Sequence, residues 1–521
     1  MRVFPEVNRV VKDWRKVKVK VALCYPNIYR AGMTGLTVQL LYYLFNRREE
    51  VVCERFFKPI EGGKPLSVES RRGLESFNIA AFTFQYELDY VNFISMLLDS
   101  GIPPRRMDRG EEHPIIIAGG PAIWANPCVL EDYVDLFVIG DAEPILDDLL
   151  DLYINHPSRR AFLDYAADLR GVYLPGRERG VERVLARSLD DEPYPLRQVI
   201  PKGGRETEPI FGRAFTLEAT RSCNRGCRFC MITWISRPAR HRSLSILKRL
   251  IDEGVRLCGV DKVAVIGAGF SDHPDITGLC SYVVESGLKL SIPSVRGDLL
   301  SEEVFKALAK GGQRTLTIAP EAGTETLREA LGKPMSDEDI VEAARRALNA
   351  GINRLKLYFM VGIPGEERED VEGMVRLTSN LAKLGFASVH VSVNVLIPKA
   401  HTPFQWLPLA ERRWLREALR TAKSASKLPK VKVDVASLRV AELQAALSRG
   451  DVTVGRMISE VAKKGGKLGL WRSVAKDLGI DLEGLVYRPY NPDEELPWSF
   501  IDVGVSGRVL AKELDKALNA A

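Results

Sequence analysis

Short apolar runs alternate with stretches of helical periodicity along most of the chain. Val17–Cys24 reads as a strand, and Gly32–Phe45 sets Leu36, Leu40, Leu41 and Leu44 at helical spacing. Further strands are predicted at Ile79–Phe82, Ile115–Ala118 and Leu136–Ile139, with helices over Leu88–Leu98 and Ala142–Ile154. Short apolar strands separated by helices predict buried parallel strands in an α/β sheet. Ligands of such sheets bind beyond the carboxyl ends of the strands. Two turns stand there, Ala118-Gly119-Gly120-Pro121 and Gly140-Asp141-Ala142-Glu143.

The alternation breaks where Pro193, Pro195, Pro201, Gly203, Gly204, Pro209 and Gly212 crowd one stretch. That composition predicts a linker over 193–212. A second series follows, with strands at Phe215–Thr220, Lys262–Ile266, Leu288–Ile292, Arg314–Ile318, Leu355–Met360 and His390–Leu396. These β/α units fall short of the roughly 250 residues of a full eight-unit barrel, so an open, partial (β/α)6 barrel is expected over 213–428. Residues 1–192 form the first α/β domain, a doubly wound parallel sheet. Residues 429–521 read as a small, mostly helical accessory domain that begins with a strand at Val431–Val435.

Composition narrows the class. The 521 residues are 45% hydrophobic and 27% charged, with 74 Lys and Arg against 68 Asp and Glu. Those values describe a globular protein and exclude a disordered chain or a mini-scaffold. The net charge of +6 is too small to argue for nucleic acid by itself. No run of about 18 apolar residues predicts a membrane span, and the charged start lacks a signal-peptide core. A soluble cytoplasmic protein is therefore expected.

Eight cysteines are present, and three of them, Cys223, Cys227 and Cys230, fall in one short loop after the first strand of the second series. Thiolates are soft ligands for iron–sulfur clusters, zinc or copper(I). Three close thiolates leave a tetrahedral zinc site one ligand short, with His241 or a remote cysteine to complete it. They suit a [4Fe–4S] cluster with one open iron, since structural clusters take four cysteines. The other five cysteines read as small buried hydrophobes.

The run Cys223-Asn224-Arg225-Gly226-Cys227-Arg228-Phe229-Cys230, set in a six-unit barrel, resembles the radical S-adenosylmethionine (SAM) superfamily. Matching segments follow in order at strand ends: Ser271-Asp272, Ser294-Val295-Arg296, Pro320-Glu321-Ala322-Gly323, Gly362-Ile363-Pro364-Gly365 and Pro398 to Pro403. Val10-Val11-Lys12-Asp13-Trp14, Tyr86-Glu87-Leu88, Pro403-Phe404-Gln405-Trp406 and Leu496-Pro497-Trp498 extend the likeness. Together they resemble a largely uncharacterised subfamily with an N-terminal cobalamin-binding-like domain. The resemblance implies that the three cysteines hold three irons and that the fourth chelates SAM. Reduction then cleaves SAM to methionine and a 5′-deoxyadenosyl radical. Phe229, Ser271, Asp272, Ser294, Arg296, Glu321, Gly362, Ile363 and Pro364 are the expected SAM contacts. Arg296 and Glu321 could equally form an ion pair with each other. Six arginines near the loop (Arg221, Arg225, Arg228, Arg237, Arg240 and Arg242) suit either a phosphate-bearing substrate such as RNA or a structural role. Trp234 and Trp406 suit either a substrate cavity or the core.

In the first domain, Thr83, Gly119, Gly120, Gly140 and Glu143 resemble positions that approach cobalamin. The D-x-H-x-x-G loop that supplies a histidine to cobalt is absent; the matching segment reads Asn27-Ile28-Tyr29-Arg30-Ala31-Gly32. Two readings stand: a working cobalamin domain, implying radical methylation, or a vestigial sheet that contacts substrate in a rearrangement, dehydrogenation or sulfur insertion. A non-catalytic iron–sulfur protein, redox-sensing or RNA-associated, is the further alternative. A donor such as ferredoxin or flavodoxin is the implied partner. The accessory domain, by its position, would close the substrate opening.

Overall fold

The computed structural model describes residues 5–177, 180–204 and 207–520. The first domain is built on a six-stranded sheet: β1 (Val19–Tyr25), β2 (Val51–Phe57), β3 (Ile79–Thr83), β4 (Ile115–Gly119), β5 (Leu136–Val138) and β6 (Val172–Tyr173), in spatial order 2-1-3-4-5-6. All neighbours are parallel except β5 and β6. The order reverses between β1 and β3, which opens a crevice at their carboxyl ends. Helix α1 (Thr37–Asn46), α2 (Tyr90–Asp99) and α3 (Leu146–Asn155) cover the faces.

Strand β2 is absent from the sequence prediction, and its composition explains why. Val51–Phe57 is buried at every position yet carries Glu54 and Arg55. Arg55 is charge-neutralised inside the domain, 2.7 Å from Glu6 and 2.8 Å from Glu69, with its guanidinium 4.8 Å from the Tyr42 ring. An alternation rule reads such charges as solvent-facing; a paired buried charge defeats it.

The second series forms β7 (Phe215–Glu218), β8 (Lys262–Ile266) and β9 (Lys289–Ser291), then β10 (Thr315–Glu321), β11 (Arg354–Val361) and β12 (Ser388–Val395), parallel within each group. A parallel bridge from Val295 to Ile318 joins the groups into one open barrel. The predicted six strands are all present. The strand Val431–Val435, here β13, pairs in parallel with β12. It is therefore a seventh barrel strand, and the expected boundary at 428 falls inside the sheet.

Alternation along the strands separates two environments. On β11, Leu355, Leu357, Phe359 and Val361 are buried against the outer helices, whereas Lys356, Tyr358 and Met360 are half-buried on the inner face. Strand β12 repeats this with His390 and Ser392, and the lumen is correspondingly polar. The outer helices are α4 (Met231–Ile235), α5 (Leu244–Cys258), α6 (Ile276–Glu285), α7 (Glu302–Lys310), α8 (Glu325–Ala330), α9 (Asp337–Asn349), α10 (Arg368–Ala382) and α11 (Arg412–Lys423). Helix α9 starts at a capping box in which Ser336 and Asp339 bond each other's backbone N–H groups.

The expected linker is packed rather than free. Tyr194 donates its hydroxyl to the Thr216 carbonyl at 2.8 Å, Gln198 brackets Thr216 from both backbone sides, and Ile200–Pro201 pairs with Glu6–Val7. Beyond β13 come α12 (Leu438–Arg449), α13 (Val452–Lys463) and, at the end, α14 (Gly507–Ala520). Ile501–Asp502 pairs with Val181–Glu182 of the first domain, so this region bridges both halves.

Candidate functional site

The cysteine loop is built by a reversal of the chain. After β7, Thr220–Arg221 pairs antiparallel with Arg240–His241, and the nine residues 222–230 arch between them. Ser222 takes a left-handed conformation, φ +69°, to start the arch, and α4 begins directly after Cys230. For a residue other than glycine, that φ costs about 1–3 kcal/mol and is held by its surroundings. Cys223, Cys227 and Cys230 are half-exposed, while the other five cysteines are buried thiols. The Trp234 indole fixes the loop by donating to the Cys227 carbonyl at 2.9 Å. Gly269 leaves room for Cys223: a Cβ there would lie 3.2 Å from its sulfur. Burial pushes the Cys227 thiol up to about 12, against the pull of the Lys333 ammonium. Metal binding is what would deprotonate such thiols. Among the described residues, no trio of His, Cys, Asp or Glu converges tightly enough for a single metal ion. Three thiols on one arch are the donor set a three-point cluster needs.

The arginines around the loop are mostly tied into structure. Arg221 pairs with Glu143 at 2.8 Å, Asp141 at 3.1 Å and Glu218 at 2.9 Å. Arg240 meets the other Asp141 oxygen at 2.5 Å. Asp141 and Glu143, from the first domain, thereby clamp the barrel's cysteine loop. Arg225 pairs with Asp272, and Arg242 donates to the Leu189 carbonyl. Arg228 donates to the Glu329 and Ala330 carbonyls at 2.8 Å each and pairs with Glu513 of α14 at 3.1 Å. Arg237 lies 4.4 Å over the Trp234 ring. Trp234 and Trp406 are both core residues, 2% and 4% exposed.

Of the expected SAM contacts, Phe229 belongs to the arch and Asp272 is joined to it through Arg225. Ser271 accepts the Arg296 N–H at 2.9 Å, joining the second and third strand ends. The Arg296–Glu321 pair does not form. Arg296 pairs with Asp298 at 2.6 Å and also donates to the Pro334 carbonyl at 2.9 Å, whereas Glu321 pairs with Lys333 at 2.8 Å. Glu321 sits at a bulge on β10 with φ +71°, which re-aims its carboxylate. Asp272 is engaged by Arg225, and Ser294 is exposed with no side-chain bond. Phe229 is half-buried at the edge of the apolar core, Ile363 is buried, and Pro364 is half-buried. The Gly362 N–H donates at 2.6 Å to Glu366, which also accepts from the Trp414 indole at 3.0 Å. Burial raises Glu366 to about 7. Sequence reasoning missed Glu366, Lys333 and Asp141. Only Asp141 had a signal, its place in the Gly140–Glu143 turn.

A cavity of about 480 Å3 opens between the two halves. It runs as a slot between the sheet and α1 and α3, walled by Leu40, Leu41, Ile79, Ile117, Val138 and Leu149. At its mouth stand Ser222, Ile232 and Gly267 beside the cysteine arch. The Ser222 hydroxyl is buried there without a partner. Thr83 and Gly119 line the slot, and a Cβ on Gly119 would meet nothing nearer than 3.6 Å. Gly120 and Gly140 have a different cause. A Cβ would lie 2.5 Å from the Phe84 carbonyl oxygen and 1.9 Å from that of Val184, so the fold's own backbone demands both glycines. Glu143 is already bound by Arg221. None of the six histidines lines the slot. In the Asn27–Gly32 segment, Asn27 bonds Asp89 and Tyr29 bonds Glu6.

A doubly wound sheet whose crevice faces a three-cysteine arch at the mouth of an open barrel is the frame of an iron–sulfur radical enzyme. Residues 37–175 match the family described as radical SAM proteins, N-terminal, and residues 217–378 match the radical SAM superfamily. An uncharacterised protein of Methanocaldococcus jannaschii is 32% identical over 446 residues, 85% of this chain and 91% of that one. An uncharacterised methyltransferase of Pyrococcus horikoshii is 24% identical over 52% of this chain and 59% of its own. The solved radical SAM methyltransferase TsrM of Kitasatospora setae, with cobalamin and a [4Fe-4S] cluster bound, shares the fold. Its TM-score is 0.57 at 13% identity, over 89% of this chain and 99% of that one. The chain belongs to the radical SAM superfamily. Membership implies a [4Fe–4S] cluster, SAM and a reductant. No helix among the described residues is long and apolar enough to cross a membrane.

Proposed function

We propose that this chain is a cobalamin-dependent radical methyltransferase. The observation that carries the reading is the apolar slot, which enters the sheet at its order reversal and opens beside the cysteine arch. Its walls suit the flat tail of a large macrocyclic cofactor, with the open side at Gly119 and Thr83 next to it. Cobalamin held this way would take no histidine from this chain. When bound, the cluster and SAM supply a substrate radical and cobalamin supplies the methyl carrier.

The chain's own residues bind, orient and exclude water. Cys223, Cys227 and Cys230 would hold three irons. Ser271, with its oxygen already accepting from Arg296, keeps its O–H to donate to the methionyl carboxylate. Asp272 would share its carboxylate between Arg225 and the methionyl ammonium. Glu321, aimed by its bulge, offers an acceptor for ribose hydroxyls, with Ser294 and Arg296 as nearby donors. Glu366 holds the Gly362-Ile363-Pro364 turn, whose backbone would read the adenine edge beside Phe229. The apolar wall at Ile232 and Ile266 keeps solvent from the mouth of the slot.

The test is anaerobic reconstitution with cobalamin and SAM, removal of unbound cobalamin, a visible spectrum, then reduction and assay of 5′-deoxyadenosine by mass spectrometry. Retained cobalamin with SAM cleavage is expected. Cleavage by protein that retains no cobalamin would overturn the methylase reading and favour a sheet that handles substrate. One observation favours that second reading: Gly120 and Gly140 are fully explained by the fold.

A further inference from the structure

Over residues 412–439 the chain carries nine Lys and Arg against two Asp and Glu, in a protein whose overall excess is only six. The excess is concentrated on one surface. Helix α11 buries Leu415, Ala418, Leu419 and Ala422 against the barrel and turns Arg413, Arg416 and Arg420 outward. Spaced i, i+3 and i+7, these three share one face. Lys427, in the helical turn that continues α11, and Lys430, just before β13, prolong the row. From Arg413 to Lys427 it spans about 20 Å at 1.5 Å per residue.

All five side chains are exposed, and none makes an ion pair or side-chain hydrogen bond among the described residues. Exposed cations of the other barrel helices are a mixture: Arg249, Arg256, Lys310 and Arg376 also make no ion pair among the described residues, whereas others are paired. Lys306 pairs with Glu302, Arg345 with Glu342 and Arg368 with Glu372. The only acid on α11 is Glu417, four residues after Arg413 and three before Arg420, and it makes no ion pair with either. Like charges three and four apart on a helix repel one another, so the row is unfavourable until an anion lies along it.

We propose that this face of α11 docks the phosphate backbone of a single-stranded polynucleotide. The row repeats about once per helical turn on a convex surface, which a flexible strand can follow and a straight duplex leaves after a few phosphates. A membrane is disfavoured because an interfacial helix needs its apolar face free, and that of α11 is buried in the barrel. Arginine recognises phosphate through paired N–H donors, and three of the five are arginines. The docking needs neither cluster nor cobalamin, so it stands apart from the methylase reading.

The test is fluorescence anisotropy of a labelled 20-nucleotide oligouridine with the full chain between 50 and 300 mM salt. Five phosphate contacts predict a slope of log K against log salt of about −3.5. R413E/R416E/R420E should weaken binding at least tenfold and flatten the slope by about 2. R413Q/R416Q/R420Q, a milder variant, guards against misfolding and should move both in the same direction. A control triple at Lys306, Lys310 and Arg345 should leave binding unchanged. Equal binding by wild type and both α11 variants would overturn the proposal. So would tighter binding of a DNA duplex, polyglutamate or anionic vesicles than of the oligonucleotide.

Discussion

The two cavity-forming halves of this molecule are held in opposite ways. The slot in the first domain is shaped by apolar side chains and by glycines that the backbone itself requires. The cysteine arch of the barrel is shaped by charges, nearly all paired, and several pairs reach outside the barrel. Asp141 and Glu143 come from the first domain and Glu513 from the last helix. The apolar walls of the slot can thus be altered without touching the arch, whereas the arch depends on all three parts of the chain.

The sharpest division comes from the thiols. C223A/C227A/C230A should lose bound iron after reconstitution and reduce SAM cleavage to background, while cobalamin retention, read from the visible spectrum, persists. Loss of both would collapse the distinction between the halves. Next is Asp141, whose two oxygens serve Arg221 and Arg240 at 3% side-chain exposure. Removing one partner of a buried pair costs about 3–5 kcal/mol, so Asp141→Asn should lower the unfolding free energy by that amount, with a lower denaturation midpoint, and weaken iron retention. A midpoint unchanged within error would mean that the clamp contributes nothing.

Two neighbouring glycines then separate cavity from scaffold. Gly119→Leu meets Val138 only at ordinary contact distance and should fold normally while displacing cobalamin. Gly120→Ala collides with Phe84 at a φ of +101° and should cost about 1–3 kcal/mol. If Gly119→Leu retained cobalamin at full occupancy, the slot would not be its site.

The smallest effect is a pH dependence. Burial holds the His401 imidazole down to about 3, so the unfolded chain gains a proton below about 6.5 that the folded one refuses. Stability from this group is therefore present above 6.5 and lost as pH falls, by about 2 kcal/mol at pH 5. Glu366, raised to about 7, and Asp89, raised to about 6 by burial, slope the other way: their contribution is present below the unfolded value and lost as pH rises. Two groups against one leave a net loss of about 1.5 kcal/mol of stability as pH rises from 4.5 to 6.5. The difference between wild type and His401→Asn, a residue that tolerates the φ of +56°, isolates the histidine. A difference that does not grow on acidification would refute the assignment.

What the sequence disclosed follows the same division. Apolar strands with helices between them were legible, and Lys262–Ile266 was placed to the residue. Strand β2 was not, because Arg55 finds its partners Glu6 and Glu69 at distant positions that periodicity cannot see. Strand β13 was legible as a strand but not as a neighbour of β12, since pairing is a tertiary choice. The cysteine arch could be recognised because its chemistry lies in eight consecutive residues. The slot could not be drawn, because its walls are ordinary core residues from five separate elements. Glu143, read toward cobalamin, pairs with Arg221, and the arginines, read as either phosphate-binding or structural, are mostly tied into structure.

The bond from Arg228 to Glu513 joins positions 285 residues apart. Arg228 lies between two of the cysteines, and its acidic partner is synthesised 285 residues later. At translation rates of about 5–20 residues per second, the arch waits roughly 15–60 s after its own synthesis for this clamp. A cluster loaded during that interval enters an unbraced loop; one loaded afterwards enters a finished site. Helix α14 therefore acts as a clock, separating the making of the cysteine loop from its bracing.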